Sequence, residues 1–306
     1  MEEKIILIAG GSGFLGTEIG KLLHKKDYTI RILTRSINKK LIFDQFIWNP
    51  STNYIDTSAF ENADVVINLA GASLANKRWT TAYKNELRNS RILSTQLLVE
   101  KINSLTHKPR LFISASGIGI YGHRPDEIIT EDSPMDKEGY IPTLCADWEE
   151  AAKNISNEIR KIIIRTGIVL SLKDGYMAKT RLPSLFGIAP LFGNGLQMQS
   201  WIHIRDLCNA IIFTIENYNL KGILNLTSPH PSSQAEISKL MANKSAGFSV
   251  PIPIPSGILK LLIGQMALTL VESQYVLPKK LNDAGFKFEY TDISAAIGDL
   301  IDKREA

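Results

Sequence analysis

The chain has 306 residues, 44% hydrophobic and 22% charged, which suits a soluble α/β protein with one large unit and a smaller appended region. A formal net charge of +4 with scattered basic residues argues against a nucleic-acid partner and leaves room for an anionic ligand. Two cysteines, Cys145 and Cys208, supply no disulfide framework and fit a reducing, cytoplasmic setting.

In chain order, Glu2 and Glu3 before an immediate strand argue against a signal peptide. Residues 5–16, IILIAGGSGFLG, form an apolar β-rich run that enters a glycine turn, followed by helical spacing at Ile19, Leu22 and Leu23 over 17–26. Strand, glycine turn and helix in that order is the context a dinucleotide fingerprint requires. Gly10 and Gly11 supply unusual backbone angles, Gly13 leaves space for a pyrophosphate, and Gly16 lets the helix approach the strand. Ser12, Phe14 and Leu15 complete the turn, where free N–H groups at the helix start face an anion. A second strand over 28–34 ends in Thr34-Arg35-Ser36. Arg35 stands where an NAD site usually carries Asp or Glu, and a guanidinium suits a 2′-phosphate, so NADP(H) is expected over NAD(H).

Residues 64–71, DVVINLAG, predict a third buried strand whose Leu69, Ala70 and Gly71 let the backbone pass close to the cofactor. A helix over 90–103 carries Leu93, Leu97, Leu98 and Ile102 as a core stripe. Strands follow at 110–116, 161–170 and 222–227, with a helix over 146–155 turning Trp148, Ala151, Ala152 and Ile155 inward. The alternation predicts a doubly wound parallel sheet with helices on both faces, a Rossmann fold, and a ligand beyond the strand C-termini. Residues 175–204 read as a long loop-rich cover. The apolar run 256–271 is too short for a membrane span and is interrupted by Lys260 and Gln265, so it predicts a buried or subunit-interface helix, compatible with a homodimer. A closing helix is expected over 291–303. The division expected is a cofactor domain over 1–170, rejoined by the strand at 222–227, and a substrate-side region over 171–306.

The fingerprint with SAS…YG and SWIHIRDL resembles the extended short-chain dehydrogenase/reductase superfamily. NLAGASLANKRWTTAYKNELRNSR, CADWEEAA, RTGIVLS and GNGLQMQSWIHIRDL narrow the resemblance to its atypical subgroup, the epimerase family proteins, and LPKKLNDAGFKFEY is similar to that family's C-terminal domain of unknown function, at about 250–298. The resemblance implies NADP(H) binding, with Thr34 and Arg35 at the 2′-phosphate, Leu69 to Gly71 at adenine and ribose, and Glu86 and Arg91 near the cofactor. It implies a small-molecule substrate of unassigned identity.

The superfamily pairs a proton-transferring Tyr with a Lys four residues on, and a Ser at the end of the fourth strand polarises the same oxygen. Ser116 matches that Ser, whereas the resemblance puts Ile141 and Cys145 in place of Tyr and Lys. Tyr275 and Lys279 have the spacing but enclose Pro278 and come too late in the chain. Cys145 reads first as a small packing residue and second as a nucleophile, and Tyr121 and Tyr140 are further phenols for the Ser116 neighbourhood. Arg78 and Trp79 offer a cation and a ring, His203 a titratable group, and Gln197, Ser200 and Trp201 a pocket lining. No metal-ligand spacing and no G-x-S-x-G elbow occur. Two functions follow: an NADP(H)-dependent oxidoreductase or epimerase with non-standard acid/base chemistry, or a catalytically silent NADP(H)-binding regulatory protein.

Overall fold

The computed structural model describes residues 4–302, so Glu2, Glu3 and Lys303 lie outside the described residues. The first strand shows how the core is made. β1 (Ile5–Ala9) is apolar at every position, and alternation sends Ile6 and Ile8 to one face and Ile5, Leu7 and Ala9 to the other. A strand buried on both faces belongs in the middle of a parallel sheet. It is followed by α1 (Phe14–His24), β2 (Thr29–Thr34), β3 (Asp44–Asn49), β4 (Tyr54–Ile55), β5 (Ala63–Asn68) and α2 (Thr81–Ser104). Next come β6 (Leu111–Gly117), β7 (Arg124–Ile129), α3 (Tyr140–Ala151), β8 (Arg160–Thr166) and β9 (Ile168–Leu170). The chain continues through α4 (Gly175–Leu185), β10 (Ile188–Phe192), β11 (Met198–Gln199), β12 (Trp201–His203), α5 (Ile204–Glu216) and β13 (Gly222–Leu226).

Eight strands form one sheet in the order β13-β8-β6-β5-β1-β2-β3-β4, parallel except for the antiparallel β3–β4 pair. From β1 the chain adds β2 and β3 on one side and then crosses to add β5, β6, β8 and β13 on the other. The order therefore reverses between β1 and β5, and a crevice opens beyond their C-termini. Ile19 and Leu23 of α1 and Leu207, Ile211 and Ile215 of α5 cover one face. Leu98 and Ile102 of α2, with Ala152 and Ile155, cover the other.

The last third comprises β14 (Ser232–Ser233), α6 (Gln234–Ala246), β15 (Val250–Ile254), α7 (Ser256–Ile263), α8 (Leu268–Val271), β16 (Gln274–Val276), α9 (Lys279–Asp283) and α10 (Ile293–Asp302). It is tied back to the sheet. Leu281 and Phe286 enter the main core, and Ile293, Ala296 and Ile297 pack with Trp201, Ile237 and Met241. Asp206 at the start of α5 accepts the backbone N–H groups of Glu289 and Tyr290 at 2.8 and 2.9 Å.

Four expectations need correction. Residues 175–204 are not a loop but α4, β10, β11 and β12; Pro183 inside α4 and its exposed Leu182 and Leu185 hide the periodicity. The 256–271 run is not one buried helix: it breaks at Gly264, whose φ is +65°, and only Leu259 of α7 is buried while Leu261 is 75% exposed. β3 was not expected, because Asp44, Gln45 and Asn49 dilute its apolar signal near the sheet edge. The strand expected over 161–170 is two, since at Gly167 the chain leaves β8, and β9 pairs with β12 instead. A Cβ on Gly167 would lie 2.3 Å from the Ser200 carbonyl oxygen.

α1 stands directly on the glycine turn. A Cβ on Gly16 would lie 2.5 Å from the Gly10 carbonyl oxygen and 2.6 Å from the Gly11 Cα, both backbone atoms that cannot swing aside. Gly16→Ala is expected to lower unfolding stability in urea by about 1–3 kcal/mol. Gly257→Ala, in open space on α7, should stay within about 0.5 kcal/mol or gain stability. Equal effects for the two would contradict this close approach.

Candidate cofactor and active site

The crevice between β1 and β5 is a cavity of about 410 Å³. Gly10, Ser12 and Gly13 form its floor, Leu33, Thr34 and Arg35 one lip, and Leu69 to Ala72 the other. Gly10 has φ +78°, and a Cβ there would meet the Leu69 carbonyl carbon at 2.9 Å, so turn and opposite lip touch through backbone alone. Gly13 caps α1 without a side chain, and the N–H groups of the helix's first turn have no carbonyl of their own helix to bond. A floor of backbone donors at a positive helix end is suited to a pyrophosphate.

At the lip, Thr34 Oγ1 is held by Ser36, donating to its carbonyl at 2.9 Å. Arg35 is exposed and forms no ion pair with a carboxylate among the described residues. Its charge is available to a ligand. The far wall contains residues that sequence reasoning missed: Trp48 to Ser51 at the end of β3 and the turn that follows, and Asn89, Ser90, Leu93 and Ser94 on α2. Leu93, expected in the core stripe, is 39% exposed and faces this cavity instead. The missed signal in FIWNP is an aromatic followed by a Pro-initiated turn, which an unrecognised third strand obscured. Glu86 also lines the cavity and pairs with Lys77 at 3.6 Å.

Arg91, two residues from Leu93, is buried behind the lip. A Cβ on Gly71 would lie 3.2 Å from its Cγ and Cζ, its Nη1 donates to the Leu87 carbonyl at 2.9 Å, and its guanidinium sits 5.0 Å from the Trp148 ring. Burial pulls its pKa down, and the neighbouring Cys145, Tyr140 and Tyr83 groups oppose that. No carboxylate among the described residues pairs with it.

At the C-terminal end of β6 lies a buried polar network. Ser116 Oγ donates to Glu149 Oε1 at 2.8 Å, and Arg165 holds both Glu149 oxygens, Nε to Oε1 and Nη2 to Oε2, each at 2.8 Å. Burial alone would lower the Arg165 pKa, but the bonds to Glu149 raise it, so it is a fixed cation. Tyr121 does not turn its hydroxyl to Ser116: it donates to Asn225 Oδ1 at 2.9 Å, and its ring lies 4.9 Å from the Arg165 guanidinium. Tyr140 donates to the Lys84 carbonyl at 2.9 Å and packs edge-on against Trp79. Burial pushes both phenols above their ordinary pKa, the wrong direction for proton transfer near neutrality. Ile141 packs on Gly119, where a Cβ would lie 2.4 Å from its Cγ2. Cys145 is buried beside Gly117, and desolvation pushes its thiol up to about 11, with the Arg91 charge opposing.

With this geometry in view, residues 6–226 match the NAD dependent epimerase/dehydratase family, and residues 254–300 a domain of unknown function, DUF1731. The chain belongs to the NAD dependent epimerase/dehydratase family. It is 34% identical over 310 residues to the epimerase family protein SH2119 of Staphylococcus haemolyticus, covering 98% of this chain and 99% of that protein. Its fold is similar to that of human epimerase family protein SDR39U1 (isoform 2) with NADPH, at a TM-score of 0.89 and 26% identity over 97% of this chain and 99% of that one. It is also similar to a nucleoside-diphosphate sugar epimerase from Corynebacterium glutamicum, at a TM-score of 0.79 and 29% identity over 98% of this chain and 58% of that one.

In this family member the residues expected to line a substrate pocket divide. Arg78 lies against the turn at Gly264, where a Cβ would meet its Nε at 2.9 Å, and Trp79 is buried with Nε1 donating to the Leu74 carbonyl. The remaining four serve the tie to the C-terminal region. Gln197 Nε2 donates to the Phe192 and Leu270 carbonyls. Ser200 Oγ donates to the Gln274 carbonyl and accepts from the Val276 N–H. Trp201 is fully buried among Ile237, Met241, Ile293 and Ile297. His203 caps α5 by accepting the Arg205 N–H and stacks on Tyr290, with Asp299 3.5 Å from Nε2. The residues that resemble a substrate loop are placed to seat the DUF1731 segment. Among the described residues no cluster could hold a metal ion, and no helix is long and apolar enough to cross a membrane.

Both thiols are buried, with pKa values pushed up to about 11 for Cys145 and about 12 for Cys208, desolvation being the first cause in each. Thiolate therefore accumulates only as pH climbs toward those values. A disulfide exchange reagent at pH 8 should find no fast thiol in the native protein and two after denaturation. A native thiol reacting at the free-cysteine rate would show that one of them is exposed and activated.

Proposed function

We propose that this chain binds NADP(H) across the β1–β5 crevice and acts on a small molecule at the end of β6 as an oxidoreductase or epimerase-type protein. The observation that carries the reading is the pairing of a glycine-rich, donor-lined floor at α1 with an exposed Arg35 that has no carboxylate partner among the described residues. The first suits a pyrophosphate and the second a 2′-phosphate. The wall made by Trp48 to Ser51 and Leu93 suits an adenine, and Leu69 to Gly71 a ribose. The NADPH in the SDR39U1 structure supports the choice of phosphorylated cofactor. Arg91, behind Gly71 and next to Cys145, would supply the fixed positive charge that the absent lysine cannot.

When bound, a nicotinamide supplies the hydride chemistry. The protein's part is to hold it and to place a substrate polar group near Ser116. The absence of a Tyr–Lys pair on α3 also favours a second reading, a silent NADP(H)-binding protein that reports cofactor state to a partner. Exchange of the C4 hydrogen of bound NADPH at a catalytic rate would exclude it; binding with no exchange would support it.

Arg35→Ala is expected to weaken NADPH binding by about 1–3 kcal/mol, through loss of charge-assisted hydrogen bonds, while NADH binding changes little. Calorimetric titration of both nucleotides checks this. Equal losses for the two would remove the 2′-phosphate role from Arg35.

A further inference from the structure

Ser116 has a single hydroxyl proton, and the structure commits it. An ionised carboxylate can only accept, so in the 2.8 Å contact with Glu149 Oε1 the serine is the donor. Glu149 is not free to turn away. Arg165 grips both of its oxygens at 2.8 Å, and with 2% of the Arg165 side chain and 10% of the Glu149 side chain exposed, separating the two would strand a buried charge. The three groups come from three elements. Ser116 and Arg165 are register partners on β6 and β8, and Glu149 sits on α3 one turn beyond Cys145. From the other side the Tyr121 ring lies against Arg165, and Asn225 holds Tyr121. What Ser116 has left to offer a ligand is its lone pairs.

We propose that Ser116, with its proton held on Glu149 by the Arg165 clamp, meets the ligand as a hydrogen-bond acceptor, so that the group recognised at the end of β6 is a hydroxyl or N–H donor rather than a carbonyl. The proposal rests on the reading of the crevice as the functional site, and it refines that reading by reversing the polarity expected of Ser116. Glu149 and Arg165 are positioning residues, since both act through the serine. The site therefore favours the alcohol form of a substrate over its ketone. A carbonyl placed there would face lone pairs instead of a proton.

Two measurements test this. Neutron diffraction from crystals of the full chain exchanged into heavy water, without cofactor, should place the Ser116 deuteron on the line to Glu149 Oε1. A deuteron directed away from Glu149, or one carried by Glu149, would overturn the proposal. Saturation-transfer NMR on the protein with saturating NADPH, using cyclohexanol and cyclohexanone as probes, should show the alcohol binding more tightly by roughly fivefold, about one hydrogen bond. Ser116→Ala should abolish that preference. Glu149→Gln, whose amide can donate back to the serine, should invert it. Equal or tighter binding of the ketone to the wild type contradicts the proposal. Should Glu149→Gln fail to fold, Ser116→Ala keeps the ion pair intact and still decides the matter. Failure of NADPH to bind would instead count against the functional reading, and the cofactor-free neutron map would still report the serine's polarity.

Discussion

α1 approaches the turn after β1 this closely only because Gly16 has no side chain, and the rest of this site follows from that constraint. With Gly16 seated on Gly10 and Gly11, the axis of α1 points its unbonded N–H groups into the gap where the sheet order reverses. The same closeness brings Leu69, just past β5, against Gly10, so the floor and one lip of the crevice are fixed relative to one another by backbone contact. A rigid, donor-lined floor suits an anion above it, and the exposed Arg35 at the lip suits one more negative charge. The mild positive charge of the chain is thus less informative than the position of one arginine.

Buried charge organises the second half of the site. Arg165 and Glu149 neutralise each other and fix the Ser116 hydroxyl, while Arg91 is buried on a carbonyl and an aromatic face with no carboxylate partner among the described residues. A guanidinium left in that condition carries a cost that a bound anion or polar ligand would offset. Cys145, between these groups, is a neutral thiol at physiological pH and contributes shape rather than charge.

How far the residues announce this differs along the chain. β1, the glycine turn, β2 and the strand-end position of Arg35 are legible because each lies in a contiguous stretch. A two-sided apolar strand, glycines at fixed offsets and a strand-end cation need no tertiary information. Trp48 and Leu93 are not legible in this way. Trp48 belongs to a strand with polar positions, and Leu93 has the spacing of any core leucine on a helix until the crevice is in place. The Ser116–Glu149–Arg165 network joins residues up to 49 positions apart, and no spacing rule flags a glutamate on a helix as the partner of a serine on a strand. SWIHIRDL resembles a substrate loop, yet its Ser200, His203 and Asp206 hold the C-terminal segment, a role that emerges only once Gln274, Tyr290 and Asp299 are in place.

If the crevice, Arg35 and the end of β6 are parts of one cofactor site, a crystal structure of the protein grown with NADPH will show it most directly. The pyrophosphate is expected over Gly10 to Leu15, the 2′-phosphate on Arg35, the adenine between Trp48 and Leu93, and the nicotinamide directed toward Ser116. A nucleotide bound with its 2′-phosphate away from Arg35, or with its nicotinamide end outside the crevice, would contradict this arrangement.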